Sequence, residues 1–179
     1  MEILLNWTLA IGAIGTLVGA FLVYRTLVCN HDWQRREYGL NLLRDWNANT
    51  SKHWQVIEQV FPHLRDVDRT GGKVTELTKQ QAKEIYTCEP SNSDCWELRY
   101  HLVEMLNYLE YVAMSYSQKV SDQEIIESCL KDAMIKYHDI LKNLIDVVES
   151  CEGYLPWEPY TALVESWRIT YKPTRKKTA

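Results

Sequence analysis

Asn107 and Glu110 come closest, in type and spacing, to the residues of a working site. They are three residues apart in a segment with a helical pattern, so the amide and the carboxyl should share one helix face. The residues around them are apolar: Leu106, Leu109, Val112 and Ala113. A partly buried carboxylate in such a setting needs a partner. Three arginines could supply one: Arg36, Arg44 and Arg99.

Two interpretations of this polar pair differ in what the carboxyl does. As a general acid or base, Glu110 would need a companion group, yet no His, Ser or second carboxylate lies at a motif spacing, and His101 is more than two turns away. As a structural clamp, the pair would fix the register of packed helices. The sequence favours the clamp, and no catalytic residue is predicted.

Known catalytic and cofactor motifs are absent from the sequence. It contains no GxGxxG, GxxxxGK[ST], HExxH or GxSxG, and Gly71-Gly72 alone does not make a phosphate loop. The five cysteines include no CxxC pair: Cys29, Cys88, Cys95, Cys129 and Cys151. The spacing of Cys88, Cys95 and His101 does not fit a zinc finger. No cofactor and no metal site are therefore predicted.

Composition and charge limit the class of protein. A net charge of -4 and a pI near 5.7 disfavour a nucleic-acid partner. Hydrophobic residues make up 46% of the 179 residues and charged residues 25%, as in folded chains. Only 7 Gly and 5 Pro interrupt the chain, and Phe is nearly absent. These features predict an all-α fold with helices joined by short turns.

An uncharged segment near the start predicts a membrane anchor. From Ile3 to Tyr24 the chain runs 22 residues without a charge, which as a helix is roughly 33 Å long, against a hydrocarbon core of about 30 Å. A cleaved export signal would begin with a basic region and have a shorter apolar core. A buried core helix would show a polar face. We therefore expect residues 1–28 to form one N-terminal transmembrane helix in membrane lipid.

The basic residues beside this segment predict its orientation. None precedes it, whereas Arg25, Arg35 and Arg36 follow it. Because basic residues concentrate on the cytoplasmic side, the segment should span the inner membrane with the N-terminus outside and the rest of the chain in the cytoplasm. There the cysteines stay reduced. In the opposite orientation, Cys88 and Cys95 would be the first pair to form a disulfide.

A stripe of small residues lies along the predicted span. Thr8, Gly12, Gly15 and Gly19 recur every three or four residues, and the last two form a GxxxG pair. Such a stripe lets a second helix approach closely, which favours a homo-oligomer. The alternative is that glycine is simply more frequent in membrane helices.

The remaining chain predicts an antiparallel helical bundle over residues 29–171, followed by a basic disordered tail over 172–179. A capping box, Ser121 to Glu124, should begin the longest bundle helix. The predicted helices cover residues 32–46, 50–61, 75–86, 93–118, 121–150 and 159–171. A broad face of the fourth helix should lie in the core: Leu98, Leu102, Met105, Leu106, Leu109, Val112, Ala113 and Tyr116.

Three segments carry a resemblance to a known family. "RREYGLNLLRDW", "LNYLEYVAMSY" and "LPWEPYTALVESW" are similar to segments of the domain of unknown function 4760, an uncharacterised bacterial family with an Asn-x-x-Glu pair in a helix and a tryptophan near the C-terminus. The resemblance implies a membrane-anchored helical architecture and no activity. It marks five positions of interest: Arg36, Trp46, Asn107, Glu110 and Trp167.

Two classes of function follow from these patterns. The first is a non-enzymatic, membrane-tethered interaction module that assembles with itself or a protein partner. By analogy, such a module could belong to an envelope complex or act in stress or phage defence. The second is a sensor that binds a small molecule or nucleotide signal between its helices, among the many Trp and Tyr side chains.

Overall fold

The computed structural model describes residues 2–64 and 76–170; for residues 2–14, His63 and Thr170 it describes the backbone only. This part of the chain contains helices and no strand, which confirms the predicted all-α fold. The α-helices are α1 (Glu2–Trp46), α2 (Lys52–Val60), α3 (Lys79–Tyr86), α4 (Ser93–Ser117), α5 (Gln123–Glu152) and α6 (Glu158–Thr170). Most of the predicted connection 63–74 and the tail 172–179 lie outside the described residues.

Helix α1 runs without a break for 45 residues, and a π-helical turn at Asn47–Ser51 links it to α2. The apolar segment and the first bundle helix are therefore one element. Every residue from 15 to 34 is exposed, and burial begins near Gly39 and continues through Leu42 and Trp46. Leu40 is exposed, because α1 meets the bundle through the face of Gly39 and Leu42.

The predicted membrane span is only partly within the described residues. No helix in the described part of the chain is long and apolar enough to cross a membrane. The predicted span begins at Ile3, and the side chains of residues 3–14, including Thr8 and Gly12, lie outside the described part. The transmembrane anchor therefore stays a prediction.

Helix α4 lies at the centre of the bundle. It packs against α2, α3, α5 and α6. Seven of the eight residues predicted for its core face are buried, and Tyr116 is partly buried against them: Leu98, Leu102, Met105, Leu106, Leu109, Val112 and Ala113. The heptad-like spacing therefore identified the buried face correctly, because residues three and four apart share one side of a helix.

Helix α3 and the segment before it attach to the middle of α5. The backbone N–H of Leu77 donates to the carbonyl of Ile140 over 3.0 Å, and the Asn143 amide donates to the Leu77 carbonyl over 2.6 Å. A capping box of Thr78 and Gln81 then begins α3. These bonds position α3 against α5 at one side of the central helix.

The start of α5 differs from the prediction. Asp122, and not Ser121, is the N-cap: its carboxylate accepts from the N–H groups of Glu124 and Ile125 at 3.0 and 3.3 Å. The Ser121 hydroxyl is buried without a hydrogen-bond partner in the described structure. The predicted Ser121 cap is wrong because Asp122 also contacts α1, where it lies 3.4 Å from Arg36 and its N–H donates to the Arg35 carbonyl over 3.1 Å.

Replacing the N-cap tests this assignment. Asp122→Ala should lower the free energy of unfolding by about 1 kcal/mol, because two N–H groups of the first turn lose their acceptor. Ser121→Ala should leave it unchanged or slightly raised, since it removes an unpaired buried hydroxyl. Urea denaturation followed by circular dichroism measures both. A larger loss for Ser121→Ala would contradict the observed cap.

Candidate functional site

A cleft lies between α3, α4, the end of α5 and the segment that leads into α6. Its volume is about 180 Å³. Its walls are mainly apolar: Ile85, Val103, Leu144, Val148, Pro156 and Trp157. Such a concave apolar surface, with a few polar groups, is typical of small-molecule sites.

Four polar side chains stand at this cleft: Tyr86, Arg99, Glu152 and Tyr154. The Tyr86 hydroxyl donates to Glu152 Oε1 over 2.6 Å, and this hydrogen bond raises the pKa of Tyr86. Arg99 Nη1 donates to the Tyr86 carbonyl over 2.9 Å. Its guanidinium carbon lies 5.4 Å from the centre of the Tyr86 ring and 5.3 Å from that of Trp96. At these distances the Arg99 guanidinium makes favourable cation–π contacts with both rings.

Asn107 holds the tryptophan that forms one wall of the cleft. Trp157 Nε1 donates to Asn107 Oδ1 over 2.9 Å, and Trp157 is 8% exposed. The backbone of Trp157 has φ 58, a left-handed conformation that costs a side-chain-bearing residue about 1 kcal/mol or more. Burial of the ring and its bond to Asn107 hold the residue in this conformation. Asn107 therefore joins α4 to the chain that enters α6.

Glu110 does not share this role. The carboxyl is partly buried, and burial raises its pKa. Each of the three arginines considered as partners contacts another group: Arg36 contacts Asp122 at 3.4 Å, Arg44 contacts Asp45 at 3.7 Å, and Arg99 stands at the cleft. Asn107 and Glu110 therefore do not act as a pair. The Asn107 amide is hydrogen-bonded to Trp157, and burial makes the Glu110 carboxyl harder to ionise.

The other residues of interest lie in the core or on α1. Trp46 and Trp167 are buried, and the Trp46 ring stacks with Tyr137 at 6.1 Å. A Cβ added at Gly15 or Gly19 would meet nothing within 4 Å, so that side of α1 is open. Thr8 and Gly12 lie outside the residues with described side chains.

Cys88 and Cys95 come together beside the cleft. Their side chains hydrogen-bond, and burial together with this bond raises the pKa of Cys95 to about 11. The Cys95 thiol lies 3.9 Å from the Glu84 carbonyl. All five cysteines are free. No group of three or more metal-ligating side chains occurs within the described residues.

Neither the contact between His53 and His101 nor the burial of His138 was predicted from the sequence. His53 on α2 and His101 on α4 share a 2.8 Å contact between their Nδ1 atoms. His138 on α5 is buried, and burial lowers its pKa to about 4. The helical spacing indicated that both side chains would be buried, since His101 falls three residues after Leu98 and His138 four after Met134. Leu98 and Met134 are core residues.

Comparison with known proteins places the chain in a family. The model of a domain of unknown function, DUF4760, matches residues 10–167. The chain belongs to this family. Neither a curated protein nor a solved structure matches this DUF4760 chain. The match covers the cleft and the residues on both sides of it.

The two members of the polar pair can be separated by mutation. Asn107→Ala should lower the free energy of unfolding by about 1–3 kcal/mol, because the buried Trp157 N–H loses its acceptor. Glu110→Gln, the control on the same helix, should cost nothing at pH 7, since it removes a charge that burial disfavours. Urea denaturation followed by tryptophan fluorescence measures both. A larger loss for Glu110→Gln would show that the carboxylate has the structural partner.

Proposed function

We propose that this DUF4760 chain is a non-enzymatic helical interaction module tethered to a membrane by the first part of α1. The observation that carries the proposal is the exposure of large apolar side chains on α1. Eight are exposed within twelve residues: Leu17, Val18, Phe21, Leu22, Val23, Tyr24, Leu27 and Val28. At 100° per residue they point in all directions around the helix axis.

An apolar helix exposed on every side needs an apolar surrounding. Isolated apolar residues are ordinary on a protein surface, but a continuous apolar patch of this kind marks contact with a membrane or a partner. A partner protein covering one face of α1 would leave its other faces in water. Lipid hydrocarbon surrounds a helix completely, so it is the occupant that we propose.

Sequence features supply the length and the orientation of the proposed anchor. Residues 3–14 are also uncharged and belong to the same helix, so the apolar run reaches 22 residues. Arg25, Arg35 and Arg36 follow it, which favours a bundle on the cytoplasmic side of the inner membrane. The open side of α1 at Gly15 and Gly19 leaves room for a second copy of the helix, as a homo-oligomer requires.

Charges placed in α1 test the tether. Leu17→Arg with Val18→Arg should remove the chain from the membrane fraction that resists alkaline extraction, because both positions lie within about five residues of the midpoint of the Ile3–Tyr24 run, and an arginine near a bilayer centre costs about 2.5–3.5 kcal/mol. Trp33→Arg with Leu40→Arg places the same charges on exposed apolar residues of the same helix, beyond the proposed span, and should have no effect. Wild-type protein found in the soluble fraction would overturn the proposal.

Orientation is checked with the same full chain. Alkaline phosphatase fused after Ala179 should be inactive, since this enzyme works only outside the cytoplasm. An active fusion would reverse the assigned orientation and place Cys88 and Cys95 in an oxidising compartment.

The cleft favours a second candidate function, binding of a small aromatic anion. Its volume of about 180 Å³ exceeds the roughly 150 Å³ of a cavity that holds benzene. Arg99 supplies a cation at the cleft. The Glu152 carboxylate also lines the cleft, but it accepts from the Tyr86 hydroxyl, and within the described residues no carboxylate forms an ion pair with Arg99.

Benzoate is a suitable probe for the cleft. It should bind saturably in ligand-observed NMR and lose most of this binding in Arg99→Gln. Arg44→Gln, an exposed arginine that contacts only Asp45, is the matched control. Equal binding by both variants, or no binding by the wild type, would exclude this second function.

A further inference from the structure

A second cavity lies where α1 meets the turn between α4 and α5. Its volume is about 370 Å³, within the range of about 300–1,000 Å³ that is usual for ligand pockets. Polar side chains dominate its lining: His31, Gln34, Arg35 and Tyr38 from α1, with Gln118 and Lys119 from the turn. No carboxylate is among these residues.

The two walls of this cavity are fixed to each other by short contacts. The Asp122 N–H donates to the Arg35 carbonyl over 3.1 Å, and the Arg36 guanidinium lies 3.4 Å from the Asp122 carboxylate. A Cβ added at Gly39 would lie 3.5 Å from the Asp122 nitrogen. The cavity is therefore a built feature of the α1–α5 junction.

Arg35 carries the main argument for a ligand. Its Nε is buried and has no hydrogen-bond partner in the described structure. A buried guanidinium N–H without an acceptor costs free energy, and Arg35 lines the cavity, so an anion held there lies beside this guanidinium. Among nearby acidic groups, Asp122 is engaged by Arg36 and by the N–H groups of Glu124 and Ile125.

Lys119 brings a second cation to the same cavity. It has φ 56, the left-handed conformation that favours glycine or asparagine, so a lysine here costs backbone energy. The backbone N–H groups of the turn are already used: Lys119 donates to the Tyr116 carbonyl at 3.1 Å and Val120 to the Ser115 carbonyl at 3.0 Å. The donors that remain free belong to side chains.

The partial charges of the helix ends do not make this cavity either positive or negative. The carboxyl end of α4 and the amino end of α5 meet at the turn, and their partial charges are opposite. Arg35 and Lys119 are the two cations among the residues that line the cavity. Amide, hydroxyl and imidazole groups from Gln34, Gln118 and His31 add further hydrogen-bonding capacity.

We propose that this cavity binds a phosphate-bearing ligand. A guanidinium with a free N–H and a lysine ammonium are the pair of donors that phosphate oxygens prefer. The phosphate can come from a lipid headgroup or from a small soluble phosphate ester. Arg35 lies eleven residues after Tyr24, or about 16 Å along the helix, whereas a headgroup layer is about 5–8 Å deep, so the geometry favours a soluble ester. The lipid source also rests on the proposed membrane tether, and the phosphate site itself does not.

Calorimetry on the full chain tests the site with sn-glycerol 3-phosphate as the probe. In dodecyl maltoside, which contains no phosphate, the wild type should bind it at one site. Arg35→Gln and Lys119→Asn should each weaken binding by about tenfold or more, because each removes a charged hydrogen bond. Asparagine accepts the left-handed backbone, so the Lys119 variant changes the charge with little added strain.

Matched variants separate loss of the ligand from loss of the fold. Lys119→Arg keeps the charge and should keep the affinity. Arg44→Gln removes an exposed charge from the same helix, away from the cavity, and should also bind normally. Helical content and melting temperature should stay at the wild-type value in all four variants. Absence of binding in maltoside, or unchanged affinity in Arg35→Gln and Lys119→Asn, would overturn the proposal.

A lipid arm distinguishes the two sources of phosphate. In nanodiscs of phosphatidylglycerol, a headgroup seated in the cavity would abolish binding of the soluble probe, whereas a site for a soluble ester would bind it as in maltoside. Either result supports the phosphate site. If the tether experiment places the chain in the soluble fraction, the same titration in plain buffer still tests the cavity.

Discussion

Burial of α4 is the constraint on which the other features of this chain depend. Its buried apolar residues cover an arc of about 120° around the helix, and several helices pack against it at once. Residues at the margin of that buried face are then held at defined places between helices. Arg99 lines the cleft, Asn107 accepts from the Trp157 indole, and His101 contacts α2. The turn that carries Lys119 follows directly after the helix.

Helix α1 joins two different environments in one rigid element. Its last turns supply Leu42 and Trp46 to the core, whereas residues 15–34 are exposed. Because an unbroken helix transmits orientation over its whole length, the contacts near Gly39 set the direction in which the apolar segment leaves the bundle. The Tyr38 and Tyr111 hydroxyls form a short hydrogen bond at this junction, and the Tyr108 hydroxyl donates to the Leu42 carbonyl over 3.0 Å. The cavity lined by Arg35, whose Nε has no hydrogen-bond partner in the described structure, lies at the same junction, where a change in α1 position would alter its shape.

Two residues in left-handed conformations lie at the two cavities. Trp157 forms one wall of the apolar cleft, and Lys119 lines the polar cavity. Such backbone strain persists only where surrounding contacts over-determine it, and it occurs often at binding sites. At Trp157 the contacts are visible, since the indole is buried and bonded to Asn107. At Lys119 the backbone bonds to Tyr116 hold the turn, and the side chain is left free for a ligand.

The sequence by itself determined the all-α class, the approximate helix limits, the buried face of α4 and membership of the DUF4760 family. These features are local or periodic: helix faces repeat every 3.6 residues, and Gly and Pro mark the breaks. It also placed Asn107 at a helix margin, but it could not name Trp157 as the partner fifty residues away. The tertiary structure alone decided that Asp122 replaces Ser121 as the cap, that Arg36 contacts Asp122 and not Glu110, and that Arg35 and Lys119 meet in one cavity. Each of these depends on which helices pack together, and pairings between distant segments leave no periodic signal in a single sequence.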